Sequence, residues 1–280
     1  MKKRIAILII ALSVLLFLNA RVSSRGFVRI HFINVGSGDA ILIQSGNEAA
    51  LIDAGGLLKG YELVEYLKKN RVSEIKYFIL THPHFDHIYG AFFILPKFKV
   101  QHLYDNGKRL PNDYVYDWYR QLVRENPGYA VLRKGSRLKL KDVSLDILWP
   151  AESGADFSNE NSLVIRLSSG KFNCLFAGDL NKTAEEKLLA ENQDLKANIL
   201  KVGHHGYDDA TSGEFLQAVS PEVALISIRP RVKEYLGTTL EALNKKNVRV
   251  YRTDSAGNIV VTADNSGNYK IKTEREDPGR

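Results

Sequence analysis

Thr81-His82-Pro83-His84-Phe85-Asp86-His87 places three imidazoles and a carboxylate within six residues, directly after the apolar run Ile75–Leu80. Imidazole nitrogen and carboxylate oxygen suit zinc, and also accept manganese or iron, so the string reads as a metal-binding loop. On a loop that leaves a strand, His82 and His84 can point at one metal while Asp86 and His87 reach a second. A binuclear site also needs a bridging anion and a further ligand. Phe176-Ala177-Gly178-Asp179 offers the anion, at the end of another apolar segment. Val202-Gly203-His204-His205-Gly206 offers the ligand. Neighbouring side chains there point in different directions, so one histidine can bind metal while the other faces substrate.

These residues need rigid elements to hold them. Val28, Ile30 and Phe32 alternate with Arg29 and His31, the pattern of a half-buried strand. Asp39–Gln44 and Glu48–Asp53 follow across a Gly46-Asn47 turn. Leu63, Tyr66 and Leu67 line one side of a helix, and Ile75–Leu80 is a short apolar strand. Residues 106–128 read as an inserted loop and helix rich in aromatics. Strands resume at Arg137–Lys141, Ser144–Trp149, Asn161–Leu167 and Phe172–Asp179. Helices near Thr183–Glu191, Ser212–Val219 and Thr238–Lys246 alternate with strands at Asn198–Val202, Glu222–Ile228 and Val248–Arg252. Asn258–Thr262 and Tyr269–Lys272 close the chain as strands. Two sets of strands with helices over each predict an α/β fold, a four-layer αββα sandwich. The polar clusters fall at strand ends, where a sheet can hold ligands to tight tolerance.

The 280 residues are 44% hydrophobic and 25% charged, which excludes collagen-like, low-complexity and disordered chains. A single cysteine, Cys174, excludes a disulfide framework and cysteine-built zinc sites. Met1-Lys2-Lys3-Arg4 precedes the uncharged run Ile5–Leu18, the pattern of a secretory signal or short membrane anchor over residues 1–25. One domain, 26–280, is then expected to be secreted or held at the outer face of the cytoplasmic membrane. The net charge of +7 invites a nucleic-acid reading. Cleavage after Ser24 would remove Lys2, Lys3, Arg4 and Arg21, leaving 35 of the 39 basic residues against 32 acidic ones. Basicity alone therefore says little about a polyanionic partner.

The motif His-x-His-x-Asp-His resembles that of the metallo-β-lactamase fold superfamily. Within it, the chain is most similar to the extracytoplasmic hydrolase domain of ComEC-type DNA-uptake proteins. Phe32–Ile43 resembles that family's opening strand-turn-strand, Leu51-Ile52-Asp53-Ala54-Gly55-Gly56 its second strand and aspartate, and Val250–Asp254 its closing strand. The resemblance runs from Val28 to Val261. It implies that His82, His84 and Asp179 hold one metal, while Asp86, His87, Asp179 and one of His204 or His205 hold the other. We carry forward His204 as the ligand and His205 as the residue facing substrate, with the swap as the alternative. Asn161 and Ser162 fall where other branches keep a zinc-binding histidine, and are expected to contact substrate. Asp53 is expected to orient the His-rich loop, and Asp39 to fix the Gly-x-Gly-Asp turn. Tyr207 replaces the family's usual serine after His-His-Gly, and Leu236-Gly237-Thr238-Thr239 lacks its late histidine.

The expected activity is a phosphodiesterase or nuclease in which two divalent ions, zinc or manganese, activate a bridging hydroxide, with Asp86 and His205 as catalytic groups. The resemblance implies DNA as the first expectation for the phosphodiester substrate, with phosphocholine esters or cyclic dinucleotides as alternatives. A lactamase- or lactonase-like hydrolase and a non-catalytic binding module are the alternatives, and no obligate protein partner is evident. The run Tyr114, Tyr116, Trp118, Tyr119 reads either as a stacking surface or as the packed face of the inserted helix. His31, His102 and Cys174 are expected to be structural.

Overall fold

Alternating apolar residues build the first strands of the chain, and the computed structural model describes residues 26–110, 113–151, 159–230 and 236–276. The segment 1–25, read as a signal or anchor, lies outside the described residues. β1 (Phe27–Phe32), β2 (Ile41–Ser45) and β3 (Glu48–Ile52) form an antiparallel meander. Ser45 pairs with Glu48, so Gly46-Asn47 is a two-residue hairpin turn. β4 (Glu74–Ile79), β5 (Lys99–Asp105) and β6 (Tyr129–Val131) extend this sheet in parallel. The second sheet runs from β7 (Arg137–Leu140) through β8 (Val143–Trp149), β9 (Val164–Ser169), β10 (Phe172–Phe176), β11 (Ile199–Lys201) and β12 (Val223–Ile226) to β13 (Arg249–Arg252). β14 (Ile259–Asp264) and β15 (Tyr269–Thr273) return to the first sheet, with β14 against β1.

Three apolar layers separate four structural ones. Between the sheets, Ile30, Phe32 and Ile43 meet Ile147, Ile165 and Phe176, and the Phe32 and Phe176 ring centroids lie 6.1 Å apart. Cys174 is in this layer, its thiol pushed well above its usual range by burial. Outside the first sheet lie α1 (Gly60–Lys69), α2 (Phe85–Ile88), α3 (Ala91–Ile94) and α4 (Tyr114–Arg124). Outside the second lie α5 (Lys182–Ala190), α6 (Gly213–Val219) and α7 (Gly237–Lys245), and the short α8 (Thr253–Ala256) joins β13 to β14. The αββα sandwich expected from the order of strands and helices is the fold.

Several boundaries differ from the sequence reading. Asn161 is not in a strand: Asn159–Asn161 is a 3-10 turn, and β9 begins at Val164. β10 ends at Phe176, so Ala177-Gly178-Asp179 turns away from the sheet edge. β6, which pairs only through Leu103, Tyr104 and Asp105, is too short to leave a periodic signal.

His31 is also better covered than alternation suggests. α1 lies over that face, His31 is buried, and its Nδ1 is 3.0 Å from the Tyr66 hydroxyl. Burial, helped by the charge of Arg29, pushes its pKa down from 6.5 to about 4. The folded chain thus keeps His31 neutral where the unfolded chain takes up a proton. Stability is lost as pH falls from about 6.5 toward 4, by up to about 3 kcal/mol from this group. In urea titrations His31→Gln protein should show a flatter fall over that window; an identical slope would show that His31 does not set it.

Candidate metal centre

The His-rich loop leaves β4 and is held by a carboxylate from the neighbouring strand. Asp53, just past β3, has a left-handed backbone with φ 55° and is fully buried. Its Oδ1 accepts from the Thr81 N–H at 2.7 Å and its Oδ2 from the Thr81 hydroxyl at 2.8 Å. The same Oδ2 lies 2.8 Å from His87 Nδ1. A proton shared there leaves His87 Nε2 facing inward, the orientation in which an imidazole can meet a metal. Backbone bonds brace the loop from below, with Ala54 N–H donating to His87 O and Gly90 N–H to Gly55 O. The opening turn buttresses it from the side. Gly38 has φ +90°, and a Cβ there would overlap the Asp86 carbonyl oxygen. Its neighbour Ser37 donates a hydroxyl hydrogen bond to Asp86 Oδ2 at 3.1 Å.

Asp179 arrives from the second sheet. Its Oδ2 lies 3.5 Å from His82 Nε2, 3.2 Å from His87 Nε2 and 3.3 Å from His205 Nε2. His82 Nε2 is 3.1 Å from His84 Nδ1, and His87 Nε2 is 3.3 Å from His205 Nε2. Asp86 Oδ2 closes the set at 3.7 Å from His205 Nε2. Four imidazoles and two carboxylates thus converge, though 123 residues separate His82 from His205 in the chain.

The two adjacent histidines are placed opposite to our expectation. His204 and His205 both have left-handed backbones, with φ 42° and 53°, at a cost of roughly 1–2 kcal/mol each. That turn directs His205 into the cluster, buried, its Nδ1 bonded to the Ser227 carbonyl at 3.0 Å. His204 turns toward the cavity instead, with Nδ1 2.7 Å from Asp209 Oδ1 and Nε2 3.0 Å from Asn159 Nδ2. The expectation for Asn161 and Ser162 is also corrected. Ser162 is fully buried, and its hydroxyl accepts from the Asp179 N–H at 3.1 Å. Asn161 is buried as well, its carbonyl accepting from Asn106 Nδ2 at 2.9 Å. The Ser162 side chain faces inward beneath the Gly178-Asp179 turn, and neither residue is among those lining the cavity.

The charges in the cluster show what it is built to hold. Burial alone would raise the Asp179 carboxyl, yet His205, His87 and His82 hold it well below the usual carboxylate range. Burial opposes a proton on His87, yet Asp179 and Asp53 raise its pKa well above the usual value. His205 is raised likewise, against burial, chiefly by Asp179. His82 and His84, by contrast, are pushed down by burial and by their imidazole neighbours, His84 to about 4. The carboxylates therefore demand positive charge at the centre, and two neutral imidazoles stand ready with lone pairs. Ligand atoms of His82, His87 and Asp179 lie within 4.8 Å of one another, as do those of Asp86, His87 and His205. This donor set fits a pair of neighbouring divalent ions of the zinc or manganese kind.

One residue of the centre escaped the sequence reading. Lys201 is fully buried at the end of β11, ion-paired with Asp39 and donating to the Gly178 carbonyl at 3.0 Å. Its Nζ lies 4.0 Å from Asp179 Oδ1, and Asp39 Oδ2 lies 4.0 Å from His87 Nδ1. A lysine inside the apolar run Ile199-Leu200-Lys201-Val202 was the available signal, since lysine is almost never fully buried without a partner. Lys201→Met removes the cation between two buried carboxylates and should destabilise the metal-free protein by about 3–5 kcal/mol. Zinc bound at Asp179 would restore positive charge beside both carboxylates, so the gap in Tm between metal-free and zinc-loaded protein should widen in the variant. An unchanged metal-free Tm would show that the pair holds nothing together.

A cavity of about 870 Å³ opens onto the cluster. His84, Asp86, Asp179, His204 and His205 form its floor with Tyr207, and Lys59 and Arg229 are its basic members.

Residues 33–229 match the model of the family described as the metallo-beta-lactamase superfamily. The chain is 30% identical over 271 residues to ComE operon protein 3 of Bacillus subtilis (strain 168), covering 88% of this chain and 34% of that protein. It is 27% identical over 229 residues to competence protein ComA of Neisseria gonorrhoeae, covering 80% and 30% respectively. The chain thus spans about a third of the length of these curated relatives. Among solved structures, the metallo-beta-lactamase fold protein YhfI from Bacillus subtilis superposes with a TM-score of 0.52 at 14% identity, over 81% of this chain and 96% of that one. At that identity the likeness is one of fold alone. The matched family model, the sandwich and the converged histidines and aspartates agree: the chain belongs to the metallo-beta-lactamase superfamily.

Proposed function

We propose that the chain is an exported metal-dependent phosphodiesterase whose substrate is DNA. The observation that carries this reading is a carboxylate-and-imidazole cluster at the floor of a cavity that also holds Lys59, Arg229 and the Asp209-backed His204. Such a cavity suits an anionic substrate with a poor leaving group. Superfamily members are generally metal-dependent hydrolases, and similarity to proteins named for competence supports DNA.

His82, His84 and Asp179 would hold one divalent ion, and Asp86, His87, His205 and Asp179 the other. Bound there, the ions would supply Lewis acidity and a nucleophile at neutral pH. Asp86, steadied by Ser37, would orient the attacking water. Lys59 and Arg229 would draw the phosphodiester into the cavity and balance its charge. His204, held at Nδ1 by Asp209, would donate a proton to the leaving oxygen from Nε2 once substrate displaces the Asn159 amide from that nitrogen.

Zinc- or manganese-loaded protein should hydrolyse bis-p-nitrophenyl phosphate and linear DNA but not nitrocefin. Cleavage of nitrocefin with both phosphodiesters untouched would replace this reading with the amide-hydrolase alternative. Export would depend on the apolar run Leu8–Leu16: charges placed there should leave the protein inside the cell, and an unchanged outward location would refute the signal.

A further inference from the structure

The mouth of the cavity carries rings that packing does not explain. Phe85 stands between the cluster residues His84 and Asp86, lines the cavity, and is 58% exposed. Asp113, also in the lining, caps α4 by accepting from the backbone N–H groups of Val115 and Tyr116. The first residue of α4, Tyr114, therefore sits at the cavity margin, and it is 85% exposed. Trp118, 66% exposed, follows one turn later on the same helix face. Tyr116 and Tyr119 of the same helix are buried, so α4 has an apolar face already and turns a second aromatic face outward. Behind it runs a groove of about 750 Å³ lined by Arg109, Arg120 and Arg124, with Asp117 and Glu125 among them.

We propose that this surface binds an unpaired nucleic-acid strand, with bases stacked on Phe85, Tyr114 and Trp118. The inference rests on the phosphodiesterase reading and narrows it to single-stranded substrate. In a duplex each base is stacked between its neighbours, and rings fixed on a protein surface cannot reach its face without flipping it out. In a single strand the faces are available, and each stacked base contributes about 1–3 kcal/mol with little regard to sequence. Phe85 lines the same cavity as His84 and Asp86, so a base stacked on it would hold the strand beside the cluster. Lys59 and Arg229 line the cavity, and Arg109 and Arg124 line the groove behind the rings, so basic groups flank the stacking surface on both sides. A lipid surface is disfavoured because inserting the rings would also carry the carboxylates of Asp113 and Asp117 out of water, whereas a bound single strand leaves them solvated.

The test is fluorescence anisotropy of the metal-loaded full chain with a phosphorothioate dT 12-mer, a matched duplex, and an abasic 12-mer of the same charge. The dT strand should bind at least about 10-fold tighter than either competitor. Phe85→Ala, and Tyr114→Ala with Trp118→Ala, should each remove about 10-fold or more, and Phe85→Tyr should restore binding. Unchanged metal content and Tm in these variants would show that the fold survives. Equal affinity for the duplex or the abasic strand, or variants that bind dT normally, would overturn the inference. So would ring-dependent binding to phosphatidylglycerol vesicles without binding to dT. Ring-dependent dT binding by a protein inactive on every phosphodiester would sink the activity reading and leave this one standing. Hydrolysis of bis-p-nitrophenyl phosphate with ring-independent dT binding would do the reverse.

Discussion

Asp179→Asn protein should lose metal and turnover together, with occupancy falling from close to two equivalents to well below one. The substitution keeps the shape of the side chain and removes one negative charge. That charge lies within 3.5 Å of three imidazole nitrogens and is held ionised by them. A single pair of opposite unit charges 4 Å apart is worth about 4 kcal/mol at an effective dielectric of about 20. Two dications that would otherwise repel one another feel that loss twice each. An affinity drop of several powers of ten follows, so activity should return only in part at high added metal. Elemental analysis and turnover measured on the same preparation decide the matter. Full metal with lost turnover would make Asp179 a group acting on substrate, and full metal with full turnover would remove it from the centre.

The neighbouring histidines should separate cleanly. His205→Ala deletes an imidazole that meets Asp179, His87 and Asp86, and leaves the Ser227 carbonyl without its partner. Metal and activity should fall together, as in Asp179→Asn. His204→Ala should keep its metal and lose about 10²–10⁴-fold in rate on DNA, the range for a lost general acid. On bis-p-nitrophenyl phosphate the loss should be smaller, because p-nitrophenolate leaves without needing a proton. Asp209→Asn should follow His204→Ala in direction with a lesser effect, since it weakens only the support of the imidazolium. If His204→Ala loses the metal and His205→Ala keeps it, His204 is the ligand and His205 the group that faces substrate.

Much of the molecule was legible in the order of residues because its causes are local. Alternation over Phe27–Phe32, the Gly46-Asn47 turn and the helical spacing of Leu63 and Leu67 depend on neighbours a few positions away. So does the His-rich string, whose metal chemistry is written in its residue types. What tertiary structure alone decided turns on distance or on backbone sign. Which of His204 and His205 enters the centre depends on two consecutive left-handed residues, and side-chain identity does not reveal that sign. The partners of Lys201 are Asp39, 162 positions earlier, and the Gly178 carbonyl, brought together only when β11 docks beside β10. Ser162 occupies the expected place in the chain but faces inward, because its hydroxyl is taken up by the Asp179 backbone where the chain enters β9. The aromatic run on α4 carried both of its readings until the sheet chose a face for it: Tyr116 and Tyr119 went to the core, and Tyr114 and Trp118 were left in water beside the cavity.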